Sequence, residues 1–355
     1  MAEFGVYVHI PFCRSRCDYC AFATWTDRGH LVDTYVDAVV ADINRTVAAG
    51  MPVADTVFLG GGTPTLVDPA HIARIIAAVP VSEGCEITVE CNPDDVTPGM
   101  MQVFAGAGVN RVSIGVQSMV THVLSALGRH HDQSNVATAV QWARDAGINR
   151  INLDLIYGSV GESLGDWRAT VASALLLGPT HVSAYGLTVE AGTPLADDPA
   201  RHPDDDEQAD KYVAADDLLT AAGLSNYEIS NWALPGEECR HNMVYWDQGD
   251  YRGFGCAAHS HEDGHRWWNV RTPDRYIDLV AAGESVMAAD EHLEPAVREF
   301  ERLELSLRTR RGVPAESLDT GSGVLDGLVE VADGTAVLTR NGRLLANEIS
   351  TRLNP

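Results

Sequence analysis

Lysine is nearly missing from this chain: Lys211 is the only one in 355 residues, and arginine supplies almost all positive charge. That scarcity removes most lysine-based catalysis from consideration. Basic residues are few altogether, 25 against 50 acidic ones, for a formal net charge of −25. Such a surface repels phosphate backbones, so no nucleic-acid partner is expected. No apolar stretch approaches the length of a membrane span, and no basic-then-apolar leader precedes Val6. Cysteine is sparse at seven residues, three of them clustered, which fits a reducing compartment better than a disulfide framework. A cytoplasmic protein is the simplest expectation.

Short β-branched runs alternate with amphipathic stretches. Strands are expected at 5–10, 56–59, 86–90, 111–116, 150–156 and 181–187, with helices at about 31–49, 69–78, 98–105, 134–146 and 164–177. This rhythm predicts a parallel sheet or an open barrel, with chemistry gathered at the C-terminal ends of the strands. Beyond residue 187 the rhythm loosens. An acidic loop at 199–206 leads into a helix expected over 207–222, with Gly223 as its C-terminal cap. Residues 226–269 are aromatic and glycine-rich with little period, and a small helical or winged-helix-like tail is expected beyond 298.

The first chemical motif is Cys13-x3-Cys17-x2-Cys20, directly after the apolar run Val6-Tyr-Val-His-Ile-Pro-Phe12. A closed structural zinc site takes four protein ligands. Three thiolates on a [4Fe–4S] cluster leave one iron open to a further ligand, and this count favours the open site. Gly60-Gly-Gly-Thr-Pro-Thr65 follows the second expected strand, where glycine lets backbone come close to a ligand. Glu90 closes the third strand, Gln117 closes the fourth, and Asp154 lies inside the otherwise apolar fifth. A carboxylate is costly to bury there alone. It therefore faces a polar lumen or pairs with a cation such as Arg129. Glu90, Gln117 and Asp154 together suggest a ring of hydrogen-bond partners for a polar ligand.

A second cluster reads Cys239-Arg-His241-Asn-Met-Val-Tyr245-Trp246, followed by Gly253-Phe-Gly-Cys-Ala-Ala-His259-Ser260 and Trp267-Trp-Asn269. An isolated histidine among aromatics is usually a satisfied core residue. Here the aromatic setting could stack a flat ligand, and a neutral imidazole is a good axial ligand for haem iron. Cys239 is the weaker alternative ligand. Cys85, Cys91 and Cys256 read as small buried hydrophobes.

These motifs, with Gly115-Val-Gln-Ser118, Leu127-Gly-Arg-His130, Asp154-Leu-Ile-Tyr-Gly158 and Glu190-Ala-Gly-Thr-Pro194, resemble the radical-SAM superfamily in its anaerobic coproporphyrinogen dehydrogenase-like branch. The likeness runs from about residue 5 to 260. It implies an α/β fold: a partial (β/α)6 TIM-like barrel over residues 1–225. A smaller C-terminal α/β or winged-helix-like region would follow over 226–355, holding the haem-associated segment. It also implies a [4Fe–4S] cluster on Cys13, Cys17 and Cys20, with S-adenosylmethionine (SAM) contacted by Tyr7, Gly61, Gly62, Thr63, Glu90, Gln117, Arg129 and Asp154.

Two subfamilies compete. One is the oxygen-independent coproporphyrinogen III dehydrogenase, which decarboxylates a porphyrinogen propionate. The other is the haem-chaperone subfamily, which binds haem and hands it to acceptor haemoproteins, membrane respiratory enzymes among them. Three features favour the chaperone. The triplet continues Cys20-Ala21-Phe22 where the dehydrogenase has Cys-x-Cys, Cys13 arrives with no long segment before the first strand, and His241-Asn-x-x-Tyr245-Trp246 matches the haem-associated motif, placing haem at His241. No catalytic residue is assigned on this reading, SAM cleavage is left open, and a homodimer is an allowed assembly. The chain departs from the family at Tyr157-Gly-Ser-Val-Gly-Glu162, where Gly-Leu-Pro-Gly-Gln is expected, which alters that rim of the barrel.

Overall fold

The computed structural model describes residues 3–129, 131–319, 321 and 323–354. His130, the last residue of one quoted motif, lies outside them. Strands β1 (Gly5–Ile10), β2 (Ala54–Gly61), β3 (Val81–Cys91), β4 (Arg111–Gln117), β5 (Arg150–Tyr157) and β6 (His181–Gly186) pair in parallel, in chain order. The helices between and after them are α1 (Val32–Ala48), α2 (Pro69–Ala78), α3 (Pro98–Gly106), α4 (Thr121–Ala126), α5 (Gln133–Asp145), α6 (Leu164–Leu176) and α7 (Asp205–Ala221). The result is the expected α/β fold, six βα steps of a partial TIM-like barrel. The expected strands all form. β2 is longer than its apolar run because Gly60 and Gly61 still pair with His9 and Ile10 of β1.

The alternation along each strand sorts the two faces of the sheet. Val6, Val8, Ile10, Val57, Leu59, Val89, Val112, Ile114, Leu153 and Leu155 are fully buried beneath the helices. Burying each such side chain contributes roughly 1.5–3 kcal/mol, so this layer fixes the register. Residues of the other parity face inward and are mostly polar. Local signals end the helices. Asp68 and Thr97 cap α2 and α3 ahead of a proline, Ser163 and Asp166 form a reciprocal capping box on α6, and Asp204 caps α7. Gly223 follows α7 at φ +88°, the left-handed position where a side chain is strained.

The aromatic stretch then adds strands to both ends of the sheet. β7 (Ser225–Glu228) and β8 (Asn231–Ala233) pair antiparallel beyond β6. After α8 (Arg240–Trp246), β9 (Tyr251–Phe254) pairs parallel with β1. β10 (His259–Glu262), β11 (His265–Asn269), α9 (Pro273–Ala282) and β12 (Met287–His292) follow, and the three strands continue the sheet antiparallel to an edge at β12. The division expected at 225/226 thus falls within β7, because 226–292 pack as extensions of the barrel sheet. These strands of three to six residues escape a periodicity reading, which needs a longer window.

A separate small core involves α10 (Pro295–Leu307), β13 (Val313–Pro314), β14 (Val329–Ala332), β15 (Thr335–Leu338), α11 (Arg340–Leu344) and α12 (Ala346–Ser350). Its three strands form an antiparallel sheet in the order β13-β15-β14. Arginines tie it to the barrel: Arg308 donates to the buried carboxylate of Glu228 at 2.9 Å and lies over the Trp246 ring, and Arg343 pairs with Asp216 at 3.1 Å. Among the described residues no helix is long and apolar enough to cross a membrane.

Candidate functional site

The inward faces of the strands and the segment after Cys20 enclose a cavity of about 890 Å3. Tyr7 and His9 of β1, Phe58 of β2, Thr88 and Glu90 of β3 line it, with Arg111 and Ser113 of β4, Asn152 and Asp154 of β5, and His181, Ser183 and Tyr185 of β6. His241 and Tyr245 of α8, Tyr251 of β9, His259 of β10 and Trp268 of β11 complete the wall, and the exposed Phe22 stands at the rim. Four of the expected SAM contacts, Tyr7, Gly61, Glu90 and Asp154, therefore share one cavity with the expected haem residue, His241. Gly62, Thr63, Gln117 and Arg129 do not line it. They sit around the cysteine loop and the strand ends.

Donors from separate elements reach the cysteine loop. The Thr63 hydroxyl donates to Cys13 Sγ at 3.7 Å, and Arg129 Nη1 donates to Cys17 Sγ at 3.7 Å while its Nη2 reaches the Gly115 carbonyl at 3.0 Å. Arg16 donates from Nη2 to the Cys20 carbonyl at 2.9 Å, and Arg201 pairs with Asp18 at 2.7 Å. The glycine run packs beneath this loop. Gly62 N donates to the Ile10 carbonyl and Thr63 N to the Phe12 carbonyl, both at 2.8 Å, continuing the β1–β2 pairing. A Cβ on Gly62 would lie 2.7 Å from both carbonyl oxygens, and one on Gly61, at φ +108°, would lie 2.2 Å from His9 Nδ1. Those amides are thus committed to the protein, and glycine is required there by close approach of β1. Gln117 takes φ +62° at a register shift in β4, which turns the strand end out of the pleat.

Within the lumen the carboxylates are held in different ways. Glu90 accepts from Gly61 N at 3.0 Å, and burial, with Asp154 nearby, pushes its carboxyl up to about 7. Asp154 accepts from Ser113 Oγ at 2.6 Å and from Asn152 Nδ2 at 2.8 Å. Burial still raises its pKa, partly offset by these donors. The network continues from Asn152 Oδ1 to His181 Nδ1 at 2.6 Å, and from His181 Nε2 to the Tyr227 hydroxyl at 2.7 Å. Cys239 N donates to that hydroxyl at 3.3 Å, which links the lumen to the start of α8. Asp154 thus resolves as lumen-facing and hydrogen-bonded, with Arg129 placed instead at Cys17.

α8 is fixed by the buried carboxylate of Glu86, which accepts from His241 N at 3.1 Å and pairs with Arg150 at 2.9 Å. The His241 ring is fully enclosed. Its Nδ1 bonds the Thr56 hydroxyl at 2.9 Å, its Nε2 bonds the Tyr245 hydroxyl at 2.8 Å, and its ring stacks on Phe58 at 5.2 Å. Burial drops its pKa to about 3, so the imidazole is neutral, and both nitrogens are engaged by hydroxyls. Axial ligation through Nε2 would require the Tyr245 hydroxyl to turn aside. His259 stacks against Trp268 at 5.8 Å on the cavity wall. His9, His181, Tyr227 and Glu86 join the site without being singled out by any sequence motif. The alternation Tyr7, His9 in β1 and His181, Ser183 in β6 was a usable signal for two of them; Glu86 and Tyr227 are recruited across the fold.

These residues fit the groups the sequence implies. The sulfurs of Cys13 and Cys17 each accept from a polar donor, as cluster thiolates do, although burial pushes the free Cys13 and Cys20 thiols up. The Thr88 hydroxyl is buried on the cavity wall with no hydrogen-bond partner among the described residues, a polar atom suited to a ligand.

Comparison with known proteins shows the family to which the chain belongs. The model of the radical SAM superfamily matches residues 7–174. A heme chaperone HemW from Mycobacterium tuberculosis H37Rv is 39% identical over 364 residues, covering 98% of this chain and 93% of that protein. The HemW of Bacillus subtilis is 34% identical, covering 97% of each chain, and that of Escherichia coli K12 is 36% identical, covering 86% of this chain and 84% of the relative. Among solved structures, the E. coli coproporphyrinogen III oxidase HemN superposes with a TM-score of 0.85 at 23% identity, covering 99% of this chain and 89% of that one. That likeness concerns the fold.

Proposed function

Because the chain belongs to the radical SAM superfamily and, within it, to the HemW family, we propose that it is a haem chaperone: it binds haem and passes it to acceptor haemoproteins. The observation that carries this reading is the shared cavity, in which the polar lumen of the barrel opens onto the aromatic and histidine wall of α8 and β9–β11. Cys13, Cys17 and Cys20 would hold the [4Fe–4S] cluster. When bound, it supplies an open iron for SAM and a one-electron donor. Thr63 and Arg129 steady the sulfurs, and Arg129 balances their negative charge. Tyr7, Gly61, Glu90 and Asp154 would form the cavity side of the SAM site, while Gly62 and Gln117 shape the turns that place them. His241, Tyr245, Tyr251 and Trp268 would receive haem as cargo, with the flat ring against aromatic faces. The expected setting is the cytoplasm, with acceptors that include membrane respiratory enzymes.

Transfer is the direct test. Anaerobically reconstituted protein loaded with haem is expected to convert an apo-haemoprotein to its holo form, read by the acceptor's own absorption band. It is also expected not to restore haem synthesis in a strain lacking the oxygen-independent coproporphyrinogen dehydrogenase. Rescue of that strain would overturn the chaperone reading in favour of the enzyme.

Glu90 adds a pH dependence. Its carboxyl titrates at about 7, and the cationic groups of SAM favour the ionised form, whose population rises with pH. SAM binding should therefore tighten about tenfold between roughly pH 6 and 8. Equilibrium dialysis should show that slope in the wild type and a flat profile in Glu90→Gln. The same slope in the variant would remove Glu90 from the SAM site.

A further inference from the structure

On the face of the sheet opposite the cavity wall, β11 and β12 bring together three metal-ligating side chains that the haem reading leaves unused. His265 and His292 are directly opposed in the antiparallel register. Asp290 lies two residues before His292, so it shares their face. The imidazoles stack at 4.1 Å between centroids and 12° between planes. His265 Nε2 lies 2.9 Å from Asp290 Oδ2, and His292 Nδ1 lies 4.0 Å from the same oxygen. One donor atom from each residue falls within 4.8 Å of the other two.

We propose that His265, Asp290 and His292 form a binding site for a divalent first-row transition metal, zinc above all, which clamps the edge strand β12 to the sheet. Two imidazoles and one carboxylate suit such ions, and three protein ligands leave a position for water. Metal–ligand distances of about 2.0–2.2 Å put tetrahedral donors roughly 3.3–3.5 Å apart, so His292 must move toward Asp290 while the His265–Asp290 contact opens slightly. A turn of the exposed His292 ring supplies that movement. His265 is backed by Trp267 at 4.9 Å, which limits the reorganisation to one histidine.

The local electrostatics favour a cation. Among the described residues, the Asp290 carboxylate pairs with these two imidazoles and with no arginine. Arg266, beside His265, is already paired with Glu291 and Glu301, and Arg298 with Asp263. The chain as a whole is strongly acidic. The clamp also has something to hold. All six residues of β12 are exposed, and the ladder to β11 breaks register between Trp268 and Asn269. Trp268 and Ala288 line the cavity on its inner side, so a metal here would stiffen that wall.

The test uses anaerobically reconstituted protein, in which the cysteines are occupied and cannot take up zinc. After dialysis against micromolar zinc and removal of the excess, elemental analysis should find about one zinc per chain in the wild type. His292→Ala and Asp290→Asn should retain under a fifth of that, with cluster iron unchanged. Cobalt in place of zinc should give weak d–d bands without the intense thiolate charge-transfer band, and should do so only in the wild type. Zinc should also raise the thermal midpoint of the wild type and leave that of His292→Ala unmoved. Absence of zinc from the wild type, or wild-type zinc in either variant, would overturn the proposal. A thiolate band with cobalt would do the same, because it places the metal at cysteine.

Discussion

Cys17→Ala protein, reconstituted anaerobically, is expected to lose essentially all cluster iron, from about four per chain to a trace, together with its broad visible charge-transfer absorption. Two thiolates cannot retain a cluster that already has an open iron. The side chain removed is also the one that accepts from Arg129, so the variant leaves a half-buried guanidinium facing an empty loop. Cys13→Ala should behave alike, since it removes the acceptor of the Thr63 hydroxyl. Neither change touches α8 or the aromatic wall, so both variants should bind haem with wild-type stoichiometry. Iron quantitation and haem titration on one preparation read both outcomes. Full iron in Cys17→Ala would exclude it as a ligand. Loss of haem together with iron would mean that the cluster and the haem cavity are not separable in this protein.

The second large effect is expected at His241. Its ring is held by Thr56 and Tyr245 and packed on Phe58, so His241→Ala opens the wall and removes an imidazole held neutral by burial. Haem affinity should fall by at least tenfold, with a changed Soret band, while cluster iron stays as in the wild type. Tyr245→Phe discriminates between ligation and packing. It removes only the hydroxyl that occupies Nε2, so a ligating His241 would bind haem at least as well in that variant. An unchanged haem spectrum in His241→Ala would take the residue out of the site. An equal loss in Tyr245→Phe would assign the binding role to the tyrosine hydroxyl.

Much of the barrel was legible in the chain because its signals are local. The six parallel strands announce themselves as β-branched runs, and Ser163, Asp166 and Gly223 mark helix ends by chemistry confined to one turn. The additions at both ends of the sheet were not legible. Each is a short strand whose identity depends on a partner such as β1 or β6, found only after the barrel exists. The same distinction runs through the site. The polar parity of the lumen strands is a sequence property, but the role of the glycine run is not. Its amides looked available for a ligand, and close approach of Ile10, Phe12 and His9 commits them to the protein instead.

The cysteine triplet is determined by connectivity alone: a short loop carries three thiols wherever it folds, and their number already implies an open iron. Net charge and the near absence of lysine likewise follow from composition. Tertiary structure decided what lies beside that loop. Thr56 meets His241 across 185 residues of chain, Arg129 meets Cys17 across 112, and Ser113 meets Asp154 across 41. Such pairs arise from strand order and register. Once the apolar face of each strand is buried, the opposite face is set, and the polar residues on it converge on a single cavity.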